Sequence, residues 1–187
     1  MSEFEELLTK VAAVLEKLSI PYIITGGAAI VFWGRPRFTA DIDIVVELYD
    51  TKIMPLITGL RTALGKEAYI DEKMVRAEQK RSGEFNVIHP QSGLKVDFFV
   101  KGNNPFEKKR LERTVVKKIG GQPIRFISPE DLILIKLSWH KDTLSTKHLE
   151  DAQSIIAIQG EKLDMQYLKQ WAEQQGTSDL LNKILNE

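Results

Sequence analysis

Three aspartates lie in two apolar segments, and their spacing could support metal-assisted chemistry. Asp41 and Asp43 are separated by one residue in the run DIDIVV, and Asp97 lies in the run LKVDFFV. In a β-strand, residues i and i+2 point to the same face, which would place the first two carboxylates side by side, roughly 6–7 Å apart at their base. Two negative charges there raise each other's pKa unless a cation lies nearby. Mg²⁺ would supply that charge, because it prefers oxygen ligands and also takes phosphate oxygens.

Asp97 would add a third carboxylate to this pair. If the two segments are neighbouring strands, Asp41, Asp43 and Asp97 meet on one face and can hold two metal ions for an in-line phosphoryl displacement. The third carboxylate can also serve as a general base. Two alternatives stay open. The first pair could face solvent on an edge strand, and Asp97 could form an ion pair with a lysine or arginine on the sheet face.

Two adjacent glycines precede the aspartate pair. Gly26 and Gly27 follow a β-rich run and precede a helical one, so backbone N–H groups and a helix N-terminus could face an anion. The alternative is an ordinary strand-to-helix turn that needs a positive φ. Arg37, in the following loop, could contact phosphates or an acceptor, or pair with the aspartates. We expect Arg35 to be exposed.

The elements that must position these residues form a mixed α/β half followed by a helical part. Ser128 and Pro129, followed by two acids, mark the beginning of that helical part. We predict a core at residues 1–127 and a helical C-terminal region, packed on the core, at residues 128–187. The predicted strands are 22–25, 42–46, the hairpin 85–89/94–100 and the hairpin 114–119/123–127. The predicted helices are 3–18, 28–33, 51–64 (with Pro55 in its first turn), 71–81, 106–111, 129–140, 146–158, 164–175 and 178–185.

Composition excludes several classes of function. The 187 residues carry 26 basic and 26 acidic side chains, so no global charge favours nucleic acid. The absence of cysteine excludes disulfides, thiolate catalysis and cysteine-based zinc sites, and three scattered histidines make a histidine-rich metal site unexpected. The acidic, amphipathic beginning MSEFEELLTK is unlike a signal peptide, and no apolar run reaches the ~18 residues of a membrane span. We expect a soluble cytoplasmic protein without a membrane partner.

The motifs together resemble the nucleotidyltransferase superfamily with the polymerase-β-like fold. The closer resemblance is to small prokaryotic nucleotidyltransferases related to abortive-infection toxins. It covers residues 22–158 and rests on Gly26-Gly27-Ala28-Ala29, Gly34, Arg37-Phe38-Thr39-Ala40, Asp41-Ile42-Asp43, Asp97, the run 129–137 (PEDLILIKL) and Lys147-His148-Leu149-Glu150-Asp151.

This resemblance implies an α+β fold, with a mixed, mostly antiparallel sheet flanked by helices and an all-helical C-terminal part. It implies that Asp41, Asp43 and Asp97 are catalytic and bind Mg²⁺, with Mn²⁺ as the alternative ion. The implied contacts to a nucleoside triphosphate are Gly26, Gly27, Arg37, Thr39 and Lys136.

Three positions qualify the resemblance. Gly27 stands where many members have serine, which removes one hydroxyl contact to phosphate. Lys136 could instead be an ordinary exposed or snorkelling lysine. Asp151 is expected to be an acid on a helix surface, because the residues before it match the lysine-rich segment of the family only in part.

We therefore predict Mg²⁺-dependent, two-metal transfer of a nucleoside monophosphate from a triphosphate such as ATP to a hydroxyl. The acceptor could be RNA (including tRNA), a protein or a small molecule, and residues 101–118 hold a basic strip that is either an RNA contact or a solvated face. The alternative is a non-catalytic nucleotide-binding or toxin–antitoxin partner module of the same fold. An antitoxin or a second copy of the chain is a possible protein partner.

Overall fold

The computed structural model describes residues 1–186, which form one six-stranded sheet in the order β3-β4-β2-β1-β6-β5. Neighbouring pairs β1/β2, β3/β4 and β5/β6 are antiparallel, whereas β2/β4 and β1/β6 are parallel. The predicted α+β class, with a mixed and mostly antiparallel sheet, is therefore confirmed, as are both hairpins. The strands are β1 Tyr22–Thr25, β2 Asp41–Val46, β3 Glu84–Ile88, β4 Lys95–Val100, β5 Val115–Ile119 and β6 Gln122–Phe126.

Each predicted helix is present, and two differ in detail. The second begins at Gly26 itself, whose φ of +57° is the positive φ that the turn alternative required, and Gly27 follows within the helix. The third begins at Asp50, which places Pro55 in the second turn and not in the first. The helices are α1 Glu3–Lys17, α2 Gly26–Trp33, α3 Asp50–Leu64, α4 Glu72–Arg81, α5 Pro105–Glu112, α6 Pro129–Thr143, α7 Thr146–Gln159, α8 Met165–Gln175 and α9 Ser178–Leu185, with a 3₁₀ turn at Gly160–Lys162.

The sheet has one apolar and one polar face at β2 and β4. Side chains alternate between faces along a strand, and the isoleucines of β2 share their face with Val96 and Phe98 of β4. These four side chains are fully buried, and Phe98 stacks on Phe85 of β3 with ring centroids 5.0 Å apart. The opposite face carries the aspartates of both strands. Burial of the apolar residues therefore fixes which way the carboxylates point.

The chain divides into two compact units. The first comprises residues 1–28 and 39–126, and the second comprises residues 29–38 and 127–186. In the second unit, the Trp33 indole donates to the carbonyl of Ile127 at 2.8 Å, and Gln159 donates to the carbonyl of Trp33 at 2.8 Å. The domain division at 127/128 stays a prediction, because compactness does not test independent folding. No helix between residues 1 and 186 is long and apolar enough to cross a bilayer.

Phe98 and Phe99 lie on opposite faces of β4, so we expect their truncation to alanine to have different effects on stability. Phe98→Ala removes a ring that is 0% exposed, and we expect it to lower the free energy of unfolding by about 3–5 kcal/mol. Phe99→Ala, on the partly exposed face, is the matched control and should cause a clearly smaller loss. Urea denaturation of both variants measures the difference. Equal losses would contradict the assigned faces.

Candidate active site

The parallel pairing of β2 with β4 brings the predicted carboxylates together. Asp43 lies directly opposite Asp97, and Asp41 lies opposite Lys95. Residues directly opposite each other share a face, and neighbouring strands are only ~4.8 Å apart. The three aspartates therefore line one face of two adjacent strands, and we call them the carboxylate cluster. Asp97 is buried, Asp43 is half-buried and Asp41 is exposed.

Asp97 combines an ion pair with an unpartnered oxygen. The ammonium of Lys95 lies 2.8 Å from Oδ2 of Asp97, so the sheet-face ion pair considered for Asp97 is present. Its Oδ1 is buried and has no hydrogen-bond partner. The hydrogen bond to Asp97 raises the pKa of Lys95, and the negative charges of Asp97, Asp41 and Glu84 add to this effect. A buried carboxylate oxygen without a donor is unfavourable and is suited to accept a ligand.

Glu84 is an acid near the carboxylate cluster that the sequence analysis missed. It begins β3, two residues before Asn86, which lies opposite Asp97. Partial burial raises the pKa of Glu84, and the charges of Asp97 and Asp43 raise it further. The sequence of the hairpin indicates this position, because Glu84 and Asn86 alternate with two buried apolar residues and therefore share the polar face of the sheet.

Each of the two glycines lies in close contact with a side chain further along the chain, Asp43 for Gly26 and Thr39 for Gly27. Gly26 has φ +57°, and a Cβ atom there would lie 1.8 Å from Oδ2 of Asp43. The N–H of Gly27 donates to the same oxygen at 3.4 Å. A Cβ atom at Gly27 would lie 2.5 Å from Oγ1 of Thr39. The missing serine at position 27 is thus explained, because the Thr39 hydroxyl occupies the space where that side chain would begin.

The other two predicted nucleotide contacts meet at Asp151 in the second unit. Arg37 donates from Nε and Nη2 to the two carboxylate oxygens of Asp151, at 2.9 Å each. The ammonium of Lys136 lies 2.8 Å from Oδ2 of Asp151. Lys136 is 2% exposed and Asp151 is 5% exposed. The expectation that Asp151 is a helix-surface acid was wrong, as was the alternative of an exposed Lys136. Arg35 is exposed, as expected.

Burial alone would raise the pKa of Asp151, but hydrogen bonds from Arg37 and Lys136, together with their charges, hold it below the usual 3.8. Because this pKa is lower in the folded protein than in the unfolded chain, the carboxylate stabilises the fold at pH values above its pKa in the unfolded chain. That contribution is lost as the pH falls through the lower, folded value.

Substituting Gly26 tests the close approach to Asp43. In Gly26→Ala the new methyl group collides with the Asp43 carboxylate, and we expect the free energy of unfolding to fall by about 2–4 kcal/mol. Gly121→Ala is the matched control, because Gly121 also has a positive φ (+85°) but no atom lies within 4 Å of the place that its methyl group would take. It should lose only about 1 kcal/mol from backbone strain. Equal losses in urea denaturation would contradict the contact.

Neutralising Asp151 should destabilise the protein, because it removes the carboxylate that pairs with the buried Lys136 and the partly buried Arg37. We expect Asp151→Asn to lower the free energy of unfolding by about 3–5 kcal/mol at pH 7, and the difference from wild type should shrink below about pH 4. Asp142→Asn, an exposed aspartate of the same unit, is the control and should change stability by less than about 0.5 kcal/mol. A pH-independent difference would exclude the charge of Asp151 as its cause.

Comparison with solved structures agrees with the fold. The fold is similar to an antigenic nucleotidyltransferase-like protein from Paracoccidioides brasiliensis (TM-score 0.56, 20% identity, 98% of this chain and 94% of that chain covered). It is also similar to ANT(2")-Ia in complex with adenylyl-2"-tobramycin (TM-score 0.56, 15% identity, 94% and 98%) and to JHP933 from Helicobacter pylori (TM-score 0.50, 13% identity, 98% and 91%). At these identities the likeness shows the fold alone. No curated protein sequence matches the chain.

The family comparison covers nearly all of the sequence. Residues 8–185 match the family described as nucleotidyl transferase AbiEii toxin, Type IV TA system. The resemblance inferred from the glycine pair and the aspartates is therefore confirmed. The chain belongs to the AbiEii family of nucleotidyltransferase toxins.

Proposed function

We propose that this protein transfers a nucleoside monophosphate from a nucleoside triphosphate to a hydroxyl acceptor in a Mg²⁺-dependent reaction. The observation that carries the proposal is the register of β2 and β4, which sets Asp43 opposite Asp97 on one face of the sheet. Asp41 shares that face, and the beginning of α2 approaches Asp43 through Gly26 and Gly27. This grouping of carboxylates and backbone N–H donors supports phosphoryl transfer, in which such groups would bind a metal ion and a phosphate.

The donor set supports a divalent ion. Among residues 1–186, no group of three or more His, Cys, Asp or Glu side chains is arranged so that it could hold a metal ion. Mg²⁺ does not need such a cage, because it keeps waters and is bound through one or two carboxylates plus substrate phosphates. Asp43 and Asp97 would hold the ion, with Asp41 beside them and Mn²⁺ as the substitute ion. When bound, it would stabilise the attacking and leaving oxygens of an in-line displacement, with a second ion in the two-metal form.

The protein's own groups would take three roles in transfer. Asp97 would accept the proton of the acceptor hydroxyl, a role that is supported by its Oδ1, which has no hydrogen-bond donor. The N–H of Gly27 and the N-terminus of α2 would orient a phosphate, and the Thr39 hydroxyl beside Gly27 would add a contact. Nucleotide contacts by Arg37 and Lys136 stay predictions.

The basic strip gives little support for an RNA acceptor. Within it, Arg110 is buried and pairs with Glu107, and Lys109 lies 3.5 Å from Glu112. These contacts neutralise part of the charge that phosphates would need. The complex of ANT(2")-Ia with adenylyl-2"-tobramycin makes small hydroxyl compounds worth testing beside tRNA and proteins. The toxin–antitoxin family name supports an antitoxin as partner.

Transfer of label from α-labelled nucleotides, ATP first, tests the proposal. The acceptor pools are total RNA, cell protein and small hydroxyl compounds, each with Mg²⁺ or with chelator. We expect Mg²⁺-dependent labelling of one pool, and a loss of about 10²–10⁴-fold in Asp43→Asn and Asp97→Asn. Asp50→Asn is the control, because Asp50 is an exposed partner of Arg76 in the same unit, and it should keep wild-type activity.

Two outcomes would count against catalysis. Failure of the wild type to label any pool with any of the common nucleoside triphosphates would contradict the proposed transfer. Calorimetric nucleotide binding that needs no metal and persists in Asp43→Asn would instead favour the non-catalytic nucleotide-binding module.

A further inference from the structure

The position of Lys95 differs from that of an ordinary surface lysine. It lies two residues before Asp97 on β4, and therefore on the same face, and its Cα lies opposite that of Asp41 on β2. Its ammonium is 2.8 Å from Oδ2 of Asp97. One positive charge thus lies among carboxylates from two strands, at the oxygens where a metal ion would bind.

We propose that Lys95 is an internal cation that competes with the divalent metal ion for Asp97 and thereby sets the metal affinity of the carboxylate cluster. This inference rests on the proposed function, because it assumes that Asp97 binds a metal ion. An ammonium and a divalent ion cannot both lie close to the same carboxylate without strong repulsion. The ammonium therefore opposes binding of the metal ion at this carboxylate, and the repulsion falls when the lysine moves away from Oδ2.

The structure allows that movement. The Lys95 side chain is 38% exposed, whereas that of Asp97 is 7% exposed. A flexible four-carbon stem lets the ammonium swing to solvent while the buried carboxylate stays in place. The lysine also satisfies only one of the two carboxylate oxygens, since Oδ1 has no partner. Lys95 therefore compensates Asp97 only partly, and a stronger cation can replace it.

Removing the lysine's charge has two opposite consequences. Without an ammonium to displace, the metal ion binds more tightly. Without its counter-ion, Asp97 becomes a buried charge with no compensation, so the protein is less stable until metal is added. A lysine that only supports the fold would produce the second effect without the first. The sign of the change in metal affinity therefore separates the two roles.

The test is a titration of the full-length chain with Mn²⁺, in which electron paramagnetic resonance measures the free ion. We expect Lys95→Met to bind Mn²⁺ about tenfold more tightly than the wild type, and to show a lower melting temperature that rises more on addition of metal. Lys95→Arg keeps the charge and should bind no more tightly than the wild type. Lys95→Gln, which can still hydrogen-bond Asp97, provides a second neutral variant if Lys95→Met does not fold.

Lys101→Met is the matched control. Lys101 directly follows β4 and lies 3.3 Å from Glu47, so its loss removes the same charge from the same stretch of chain without touching Asp97. Its Mn²⁺ affinity should stay within about twofold of the wild type. A similar gain in Lys101→Met and Lys95→Met would mean that only net charge matters, and would overturn the proposal.

The remaining outcomes distinguish this proposal from the proposed function. If the wild type binds Mn²⁺ and transfers nucleotide, but the neutral Lys95 variants bind the ion equally or more weakly, competition by Lys95 is excluded and the function stands. If neither the wild type nor the neutral variants bind Mn²⁺ at millimolar concentration, both the proposed role of Lys95 and the proposed metal site are contradicted.

Discussion

The parallel register of β2 and β4 is the constraint on which the candidate site depends. A shift of one residue would move Asp97 to the apolar face and Phe98 to the polar one. Each fully buried isoleucine or phenylalanine contributes about 1.5–3 kcal/mol. Two unit charges roughly 6 Å apart repel by only about 3 kcal/mol at an effective dielectric constant of about 20. The buried residues of both strands therefore outweigh the repulsion and hold the carboxylates together.

The same sheet face explains why glycine is required at the beginning of α2. Asp43 can lie against the backbone there because Gly26 lacks a Cβ atom, and the N–H of Gly27 reaches the same carboxylate. Thr39 then occupies the space beside Gly27. The glycine pair, the threonine and the aspartate are therefore one packing arrangement, in which each residue limits the size of its neighbour. A side chain at Gly26 would collide with Asp43 of the carboxylate cluster, and one at Gly27 would collide with Thr39.

Most of the fold could be predicted from local patterns, whereas the ion pairs could not. Turn residues between two β-rich runs predicted each hairpin, and period-2 alternation placed the aspartates on one face. Ser128 accepts a hydrogen bond from the N–H of Asp131 as a capping residue should. The burial of Asp151 was missed because its main partner, Arg37, is 114 residues away in sequence. The start of α2 at Gly26 was not predicted because glycine's low helix propensity indicates a turn, and Gly26 keeps the positive φ of such a turn as the first residue of the helix.

Solvent exposure separates two lysine–aspartate pairs that are alike in chemistry. The Lys95 and Lys136 ammonium groups each lie 2.8 Å from an aspartate oxygen, but the Lys95 side chain is 38% exposed and the Lys136 side chain is 2% exposed. The Lys95 ammonium can move into water, but the buried Asp97 then needs another cation. Lys136 would have to leave Asp151 inside the protein, which costs several kcal/mol unless another anion takes its place. A nucleotide contact by Lys136 would therefore need a phosphate to replace Asp151 directly, whereas Lys95 needs only the approach of a stronger cation.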